Sequence, residues 1–223
     1  MEIREEIAVG GSSVVVRHAG FTDVGAVRSA NEDSFLAAAP FWVVADGMGG
    51  HVDGDLASRA AVGAFAEVRS DAVARPGDVI AAVQAASAAV HALRRDAIAG
   101  TTLTGVAIVD VDGAGPHWMT FNIGDSRTYS WDGRVLRQQS VDHSAVQELV
   151  DAGVITQAEA GRHPQRNVVT RALGADPEVE PDVWLLPLRG HQTFVLCSDG
   201  LTKELDDAEI ARIVAFHGDR VAA

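Results

Sequence analysis

Two apolar runs that each end in an aspartate and a glycine constrain the fold of this chain more than any other feature. The first spans residues 41–51, Phe-Trp-Val-Val-Ala-Asp-Gly-Met-Gly-Gly-His, and the second spans residues 193–200, Thr-Phe-Val-Leu-Cys-Ser-Asp-Gly. Each pattern predicts a buried strand that delivers a carboxylate, Asp46 or Asp199, to a tight turn. The glycine after the acid lets the main chain turn sharply and brings its own carbonyl close to any ligand of the carboxylate.

Carboxylates at strand ends can hold hard metal ions. Mg²⁺ and Mn²⁺ take oxygen ligands in octahedral geometry and keep several waters, so one or two carboxylates and a backbone carbonyl are enough. Asp-Gly is also favoured in hairpin turns, and we interpret Asp132-Gly133, between two short predicted strands, as only such a turn. A metal site therefore needs further acids in order along the chain.

Such acids follow at other predicted strand ends. Residues 27–34, Val-Arg-Ser-Ala-Asn-Glu-Asp-Ser, put Arg28 four residues before the pair Glu32 and Asp33. Residues 121–127, Phe-Asn-Ile-Gly-Asp-Ser-Arg, place Asp125 after a glycine. The planar guanidinium of Arg28 suits phosphate because it donates two parallel hydrogen bonds and stays charged. A surface ion pair between Arg28 and Glu32 is the alternative.

The ordered motifs resemble those of the metal-dependent protein serine/threonine phosphatases of the PPM or PP2C type, in their bacterial form, over almost the whole chain. The matching segments are residues 28–33, 46–50, 100–102, 124–127 and 198–200. The resemblance implies hydrolysis of phosphoserine and phosphothreonine in proteins, by water activated between two Mn²⁺ or Mg²⁺ ions. It also implies substrates phosphorylated by a bacterial-type Ser/Thr kinase.

The resemblance assigns metal-binding roles to four residues. Asp46 would bridge the two ions, and the carbonyl of Gly47 would help to hold one of them. Asp199 would complete the coordination of the other ion. Asp125 would serve a third, weaker site.

Four further roles come from the same resemblance. Glu32 and Asp33 would support the metal cluster, partly through water, and Arg28 would bind the phosphate. Residues 142–174 resemble the mobile flap beside the active site of bacterial members, and we call them the flap segment. His163 in this segment is a candidate for proton transfer or substrate contact, or it only anchors the flap.

Other phosphatase chemistries fit the sequence less well. A cysteine phosphatase needs a reactive thiolate, but Cys197 is the only cysteine and lies inside an apolar run followed by an acid. We therefore expect a buried, inert thiol. The chain contains no His-Glu-x-x-His segment, and its eight histidines show no paired zinc-ligand spacing.

The sequence departs from the family pattern in two places. The family usually closes with an Asp-Asn pair, whose aspartate binds metal, and a final strand, whereas this chain ends in Phe-His-Gly-Asp-Arg-Val-Ala-Ala. We expect the C-terminal strand to be absent, a sheet edge to be exposed and metal binding to be weakened. Lys203 stands where several relatives have another acid, so it either weakens the third metal site by repulsion or is an ordinary solvated lysine.

Composition is typical of a compact intracellular enzyme, and we expect a cytoplasmic monomer. The 223 residues fit one domain, 1–223, and carry a formal charge of −13, which disfavours nucleic acid and anionic membranes as partners. The start of the chain lacks the basic head and apolar run of a signal peptide. No apolar stretch approaches the length of a membrane span.

Periodicity predicts an α+β fold, an αββα sandwich of two antiparallel sheets flanked by helices. Predicted strands cover residues 13–17, 34–38, 42–45, 102–109, 118–123, 128–131, 135–138, 183–186 and 193–197. Predicted helices cover residues 56–69 and a segment that opens after Pro76-Gly77 with Asp78 as its N-cap. The second helix presents a packing face of Val79, Val83, Ala86, Val90 and Leu93.

Two other functions remain open from the sequence. The missing terminal ligand fits a catalytically weak or inactive relative that binds phosphoproteins as a regulator. A metal hydrolase acting on small phosphoesters would contain the same carboxylates.

Overall fold

A computed structural model describes residues 2–49, 53–69, 73–93, 99–175 and 178–217. The strands are β1 Ile3–Val9, β2 Ser12–His18, β3 Asp33–Ala38, β4 Phe41–Met48, β5 Gly100–Thr101, β6 Leu103–Val111, β7 Gly115–Ile123, β8 Arg127–Trp131, β9 Leu136–Gln138, β10 Asp182–Pro187 and β11 Thr193–Cys197. The helices are α1 Asp53–Val68, α2 Pro76–Ala92, α3 Ala145–Asp151, α4 Gln157–Ala160, α5 Asp199–Thr202 and α6 Asp207–His217.

One antiparallel sheet forms the centre of the molecule, with strand order β10-β7-β6-β4-β3 and with β5 paired to the end of β4. Side chains alternate between its two faces, as the period of a strand requires. Phe41 and Val43 of β4 point to the core shared with helices α1 and α2, whereas Trp42 between them points to the opposite face. The central sheet is therefore covered on both sides.

The second layer consists of two separate pieces, a hairpin of β1 and β2 and a three-stranded sheet of order β11-β8-β9. Ile7 of β1 and Phe194 of β11 belong to the cluster around Trp42 and Trp118 of the central sheet. Helix α6 covers the outer face of the three-stranded sheet through Ile210, which packs with Tyr129. The αββα order of layers predicted from the sequence is confirmed.

The core on the helix side depends on close aromatic packing. The rings of Phe65 and Phe121 are stacked with centroids 5.6 Å apart, and Phe41 meets Phe65 edge to face at 5.5 Å. All three side chains are almost fully buried. This cluster fixes α1 on β4 and β7, and α1 begins beside the Asp46-Gly47 turn.

Several details of the sequence prediction were wrong. Helix α2 begins at Pro76 with Arg75 as its N-cap, and Asp78 lies inside the first turn, where it accepts hydrogen bonds from Arg75. Leu93 lies beyond the end of α2 and is 38% exposed, so it is not part of the packing face. Strand β1 and the helices after residue 140 were not predicted. Strand β1 lacks a clear alternation of apolar residues, and α3, α4 and α5 have only 7, 4 and 4 residues.

The predicted turn at Asp132-Gly133 was confirmed. Asp132 Oδ1 accepts hydrogen bonds from the main-chain N–H groups of Arg134 and Val135, and Gly133 has φ +91°, so Asp132-Gly133 is a turn between β8 and β9. No helix within the described ranges is both long and apolar enough to cross a membrane. The expected absence of a last strand concerns residues after His217, among them Asp219, and these lie outside the described residues. His51 also lies outside them.

Candidate metal centre

The two strands that carry the first acids place them opposite each other. Asp33 at the start of β3 is the register partner of Asp46 near the end of β4. The main-chain N–H of Gly47 donates to the carbonyl of Glu32 at 3.1 Å, which extends the pairing by one residue. Two predicted motifs, 13 positions apart in the chain, therefore meet side by side because β3 and β4 are antiparallel neighbours.

Gly47 is required by the close approach of helix α1. A Cβ built on Gly47 would lie 2.0 Å from the carbonyl oxygen of Gly54 and 2.8 Å from that of Glu32. No side chain fits there without moving main chain. The glycine after Asp46 is thus explained by packing against the start of α1.

A hydroxyl network ties Asp46 to the segment that carries Asp125. The N–H of Asp46 donates to Thr102 Oγ1 at 3.0 Å, and Thr102 Oγ1 lies 2.7 Å from Ser126 Oγ. The carbonyl of Asp46 accepts from Thr101 Oγ1 at 2.9 Å and from the N–H of Thr102 at 2.9 Å. Thr101 and Thr102 therefore hold both polar main-chain groups of Asp46.

The segment that carries Asp199 reaches the same place through Ser198. Ser198 Oγ donates to Asp33 Oδ2 at 2.6 Å, although the two residues are 165 positions apart. The next residue, Asp199, begins helix α5 and lies at the end of β11. The structure thus brings Asp33, Asp46, Asp125 and Asp199 to one end of the two sheets.

His143, which was not among the predicted site residues, holds the turn before Asp125. Its buried ring accepts a hydrogen bond from the Gly124 N–H at Nδ1, 3.0 Å away, and its own main-chain N–H donates to the Gly124 carbonyl at 2.9 Å. Since Nδ1 accepts, the proton of the neutral ring lies on Nε2, which donates to Asp182 Oδ2 at 3.2 Å. An Asp-His-Ser triplet that opens the flap segment was the available signal.

The pKa values show that the four carboxylates interact. Burial raises the pKa of Asp46 to about 8, with further increases from the charges of Asp199, Asp33 and Asp125. Burial, together with the charge of Asp199, also raises the pKa of Asp125 to about 6. The pKa of Asp33 is raised by burial, against the hydrogen bond from Ser198. This cluster holds more negative charge than its surroundings neutralise.

The donor set fits Mn²⁺ or Mg²⁺, because it consists of carboxylates beside a turn that exposes main-chain oxygen. In the part of the chain that the structure describes, no three His, Cys, Asp or Glu side chains are arranged to hold a metal ion as they stand. The carboxylates interact through space but do not surround one point.

The remaining predicted residues lie further out. Arg28 is exposed in the loop before β3, and its side chain makes no ion pair with Glu32 or any other residue in the described ranges. His163 is half-buried in the flap segment, where Nδ1 accepts from the main-chain N–H of Gln165 at 3.2 Å. Lys203 contacts Asp199 Oδ2 in an ion pair, so its charge lies at the carboxylate cluster; that it weakens a third metal site stays a prediction.

Two further features bear on chemistry. Cys197 is buried, and burial raises the pKa of its thiol to about 12, so the predicted inert thiol is confirmed. An open groove of about 450 Å³ borders Asp33 on the α1 side. Its lining residues are Thr22, Asn31, Asp33, Ser34, Phe35, Asp55, Arg59, Val62 and Gly63.

Sequence comparison identifies the family to which this sandwich with strand-end carboxylates belongs. The profile of the protein phosphatase 2C family matches residues 26–222. The chain therefore belongs to the protein phosphatase 2C family.

Curated relatives agree with this assignment. The serine/threonine protein phosphatase PstP of Mycobacterium tuberculosis is 39% identical over 206 residues, which cover 89% of this chain and 38% of the relative. The serine/threonine phosphatase stp of Listeria innocua is 35% identical over 208 residues, which cover 88% of this chain and 82% of the relative. The chain thus spans well under half the length of the first of these relatives.

Solved structures share the fold. The crystal structure of the M. tuberculosis serine/threonine phosphatase PstP/Ppp superimposes with a TM-score of 0.79 at 38% identity, covering 91% of this chain and 85% of that one. The catalytic domain of a PstP phosphatase in complex with two manganese ions superimposes with a TM-score of 0.76 at 33% identity, covering 100% of this chain and 88% of that one.

Proposed function

We propose that this protein hydrolyses phosphoserine and phosphothreonine in proteins, with two Mn²⁺ or Mg²⁺ ions as cofactors. The observation that carries the proposal is the junction of four carboxylates from distant motifs, with the pKa of Asp46 raised to about 8. The family assignment and the two manganese ions in the related PstP domain support it. When bound, the ions supply positive charge beside the phosphate and lower the pKa of a coordinated water.

Each residue of the cluster has a role in this proposal. Asp46 and the carbonyl of Gly47 would hold the ions at the end of β4, and Asp199 would hold one of them from the start of α5. Asp33 and Glu32 would support the cluster, Asp33 with its orientation fixed by Ser198.

Asp125 would serve a third site, since its charge already acts on Asp46. Thr101 and Thr102 keep the main chain of Asp46 in place, so that catalysis would not require this turn to reorganise.

Substrate contacts would come from residues outside the carboxylate cluster. Arg28 is exposed and has no described partner, so its guanidinium is available to bind a phosphate in two-point fashion. The open groove beside Asp33 offers space for residues that flank the phosphorylated side chain. His163 would anchor the flap segment, where its Nδ1 accepts a hydrogen bond from the Gln165 N–H.

We further propose that the chain acts as a single catalytic domain and a monomer, in the cytoplasm, on proteins phosphorylated by a bacterial-type Ser/Thr kinase. The names of the curated relatives support serine and threonine phosphate as the target. The formal charge of −13 argues against nucleic acid as a partner.

The test is phosphate release from a phosphothreonine peptide with Mn²⁺, with Mg²⁺ and with a chelator. We expect metal-dependent release that falls at least about a hundredfold in Asp46→Asn. Asp132→Asn is the matched control, because it alters an aspartate that also precedes glycine but lies in an exposed hairpin turn.

Other outcomes would point to the alternative functions. Binding of metal and phosphopeptide without release would indicate a phosphoprotein-binding regulator. Much faster turnover of nucleotides or sugar phosphates than of phosphopeptides would indicate a small-molecule hydrolase.

A further inference from the structure

The only lysine of the chain lies at the carboxylate cluster. Lysine and arginine together number 18, and every one except Lys203 is arginine. Lys203 directly follows helix α5, and its main-chain N–H donates to the carbonyl of Asp199 at 2.9 Å. One turn of helix thus places its side chain on the same side as that of Asp199.

The Lys203 ammonium forms an ion pair with Asp199 Oδ2. The Lys203 side chain is 45% exposed and that of Asp199 is 26% exposed, so the pair lies at the mouth of the cluster and not deep inside it. The charge of Lys203 also opposes the effect of burial and of neighbouring acids on the pKa of Asp46 and Asp125. One cation therefore acts on three of the four carboxylates.

Lys203 and a divalent ion at Asp199 compete for the same carboxylate. Lys203 already contacts Oδ2 of Asp199, and Asp199 is the carboxylate that the proposed function assigns to one of the metal ions. An ammonium that remained on Asp199 would repel an ion approaching that carboxylate and would occupy one of its two oxygens. The half-exposed lysine stem can turn outwards into water without uncovering the core.

We propose that Lys203 is an internal cation of the cluster, which neutralises Asp199 in the metal-free protein and must leave it when a divalent ion binds there. Lysine suits this role because its ammonium is a compact single charge on a flexible stem, whereas arginine would bind the carboxylate in a fixed two-point geometry. The exchange makes one metal position weaker than the other, so that the weaker position fills at a higher metal concentration. The inference rests on the divalent metal site of the proposed function but not on turnover.

The first test measures Mn²⁺ binding by electron paramagnetic resonance of the free ion, at constant ionic strength. We expect Lys203→Met to strengthen the weaker class of Mn²⁺ binding on the order of tenfold, because the competing charge is gone. Lys203→Arg, which keeps the charge, should return the affinity towards that of the wild type. Arg212→Met is the matched control, because it removes a basic partner of Glu209 on α6 and should leave Mn²⁺ binding unchanged.

The second test follows the lysine itself. Reductive methylation with ¹³C-formaldehyde labels Lys203 and the chain's α-amino group only, so the lysine gives one resolved methyl resonance. Titration with diamagnetic Mg²⁺ should shift and sharpen this resonance as the ammonium leaves Asp199. The shift should be lost in Asp199→Asn.

The results separate this inference from the proposed function. Equal Mn²⁺ affinity in Lys203→Met and wild type, a lysine resonance that Mg²⁺ does not move, or no Mn²⁺ binding by either protein would each overturn the inference. Metal binding that displaces Lys203 without any phosphate release would overturn the proposed function and leave the internal cation established.

Discussion

Replacing Asp46 by Asn should stabilise the metal-free protein at alkaline pH. Burial, and after it the charges of Asp199 and Asp33, raise the pKa of Asp46 from 3.8 to about 8. The folded state therefore binds a proton at Asp46 more tightly than the unfolded state does. The resulting stabilisation is fully present below about pH 4 and is lost as the pH rises through about 8. Asparagine keeps the shape of the neutral side chain and does not ionise.

The size of the effect follows from the shift. Each pKa unit corresponds to about 1.4 kcal/mol, so a shift of about four units sets an upper limit on the order of 5 to 6 kcal/mol. The advantage of Asp46→Asn over the wild type should be about 2 to 4 kcal/mol larger at pH 8.5 than at pH 5, because most of the titration lies between these values. Added Mn²⁺ should reverse the order, since it stabilises only the protein that binds it.

Urea unfolding with a chelator at both pH values measures this difference. Asp132→Asn is the control, because hydrogen bonds from the Val135 main chain and from Arg137 lower the pKa of this exposed carboxyl to about 2, the opposite direction. Its contribution to stability is lost only in acid, so the control should show no gain at pH 8.5. A raised pKa of Asp46 would be contradicted if metal-free Asp46→Asn were no more stable than wild type at pH 8.5, or if its advantage did not grow with pH.

Two further predictions concern single residues near the cluster. Gly47→Ala should reduce the free energy of unfolding by about 2 to 4 kcal/mol, because the new Cβ would lie 2.0 Å from the Gly54 carbonyl oxygen. Thermal unfolding of the metal-free protein measures this change, and an unchanged unfolding midpoint would contradict it. His163→Ala should change phosphopeptide turnover less than about twofold, because the His163 ring accepts a hydrogen bond from the Gln165 main chain in the flap segment. A loss of about tenfold or more in kcat would instead indicate that His163 acts on the reacting groups.

Much of the site could be predicted because its motifs are local. A strand that ends in Asp-Gly needs only the alternation of apolar residues and one glycine, and both are visible in the chain around Asp46. The packing face of α2 was predicted for the same reason, and Val79, Val83, Ala86 and Val90 are buried as expected. The exception, Leu93, fails because a helical pattern does not reveal where the helix ends.

The sequence by itself therefore determined the order of layers, the strand ends that carry the acids and the inert state of Cys197. Only the tertiary structure decided how these acids meet. Ser198 binds Asp33 across 165 residues, Thr102 meets Ser126, and His143 holds Gly124, because sheet register and packing of the two layers bring these residues together. The ion pair of Lys203 with Asp199 is by contrast local, because one turn of α5 separates the two residues. Local patterns fix which face a side chain occupies, but contacts between distant segments depend on free energies that are shared by the whole fold.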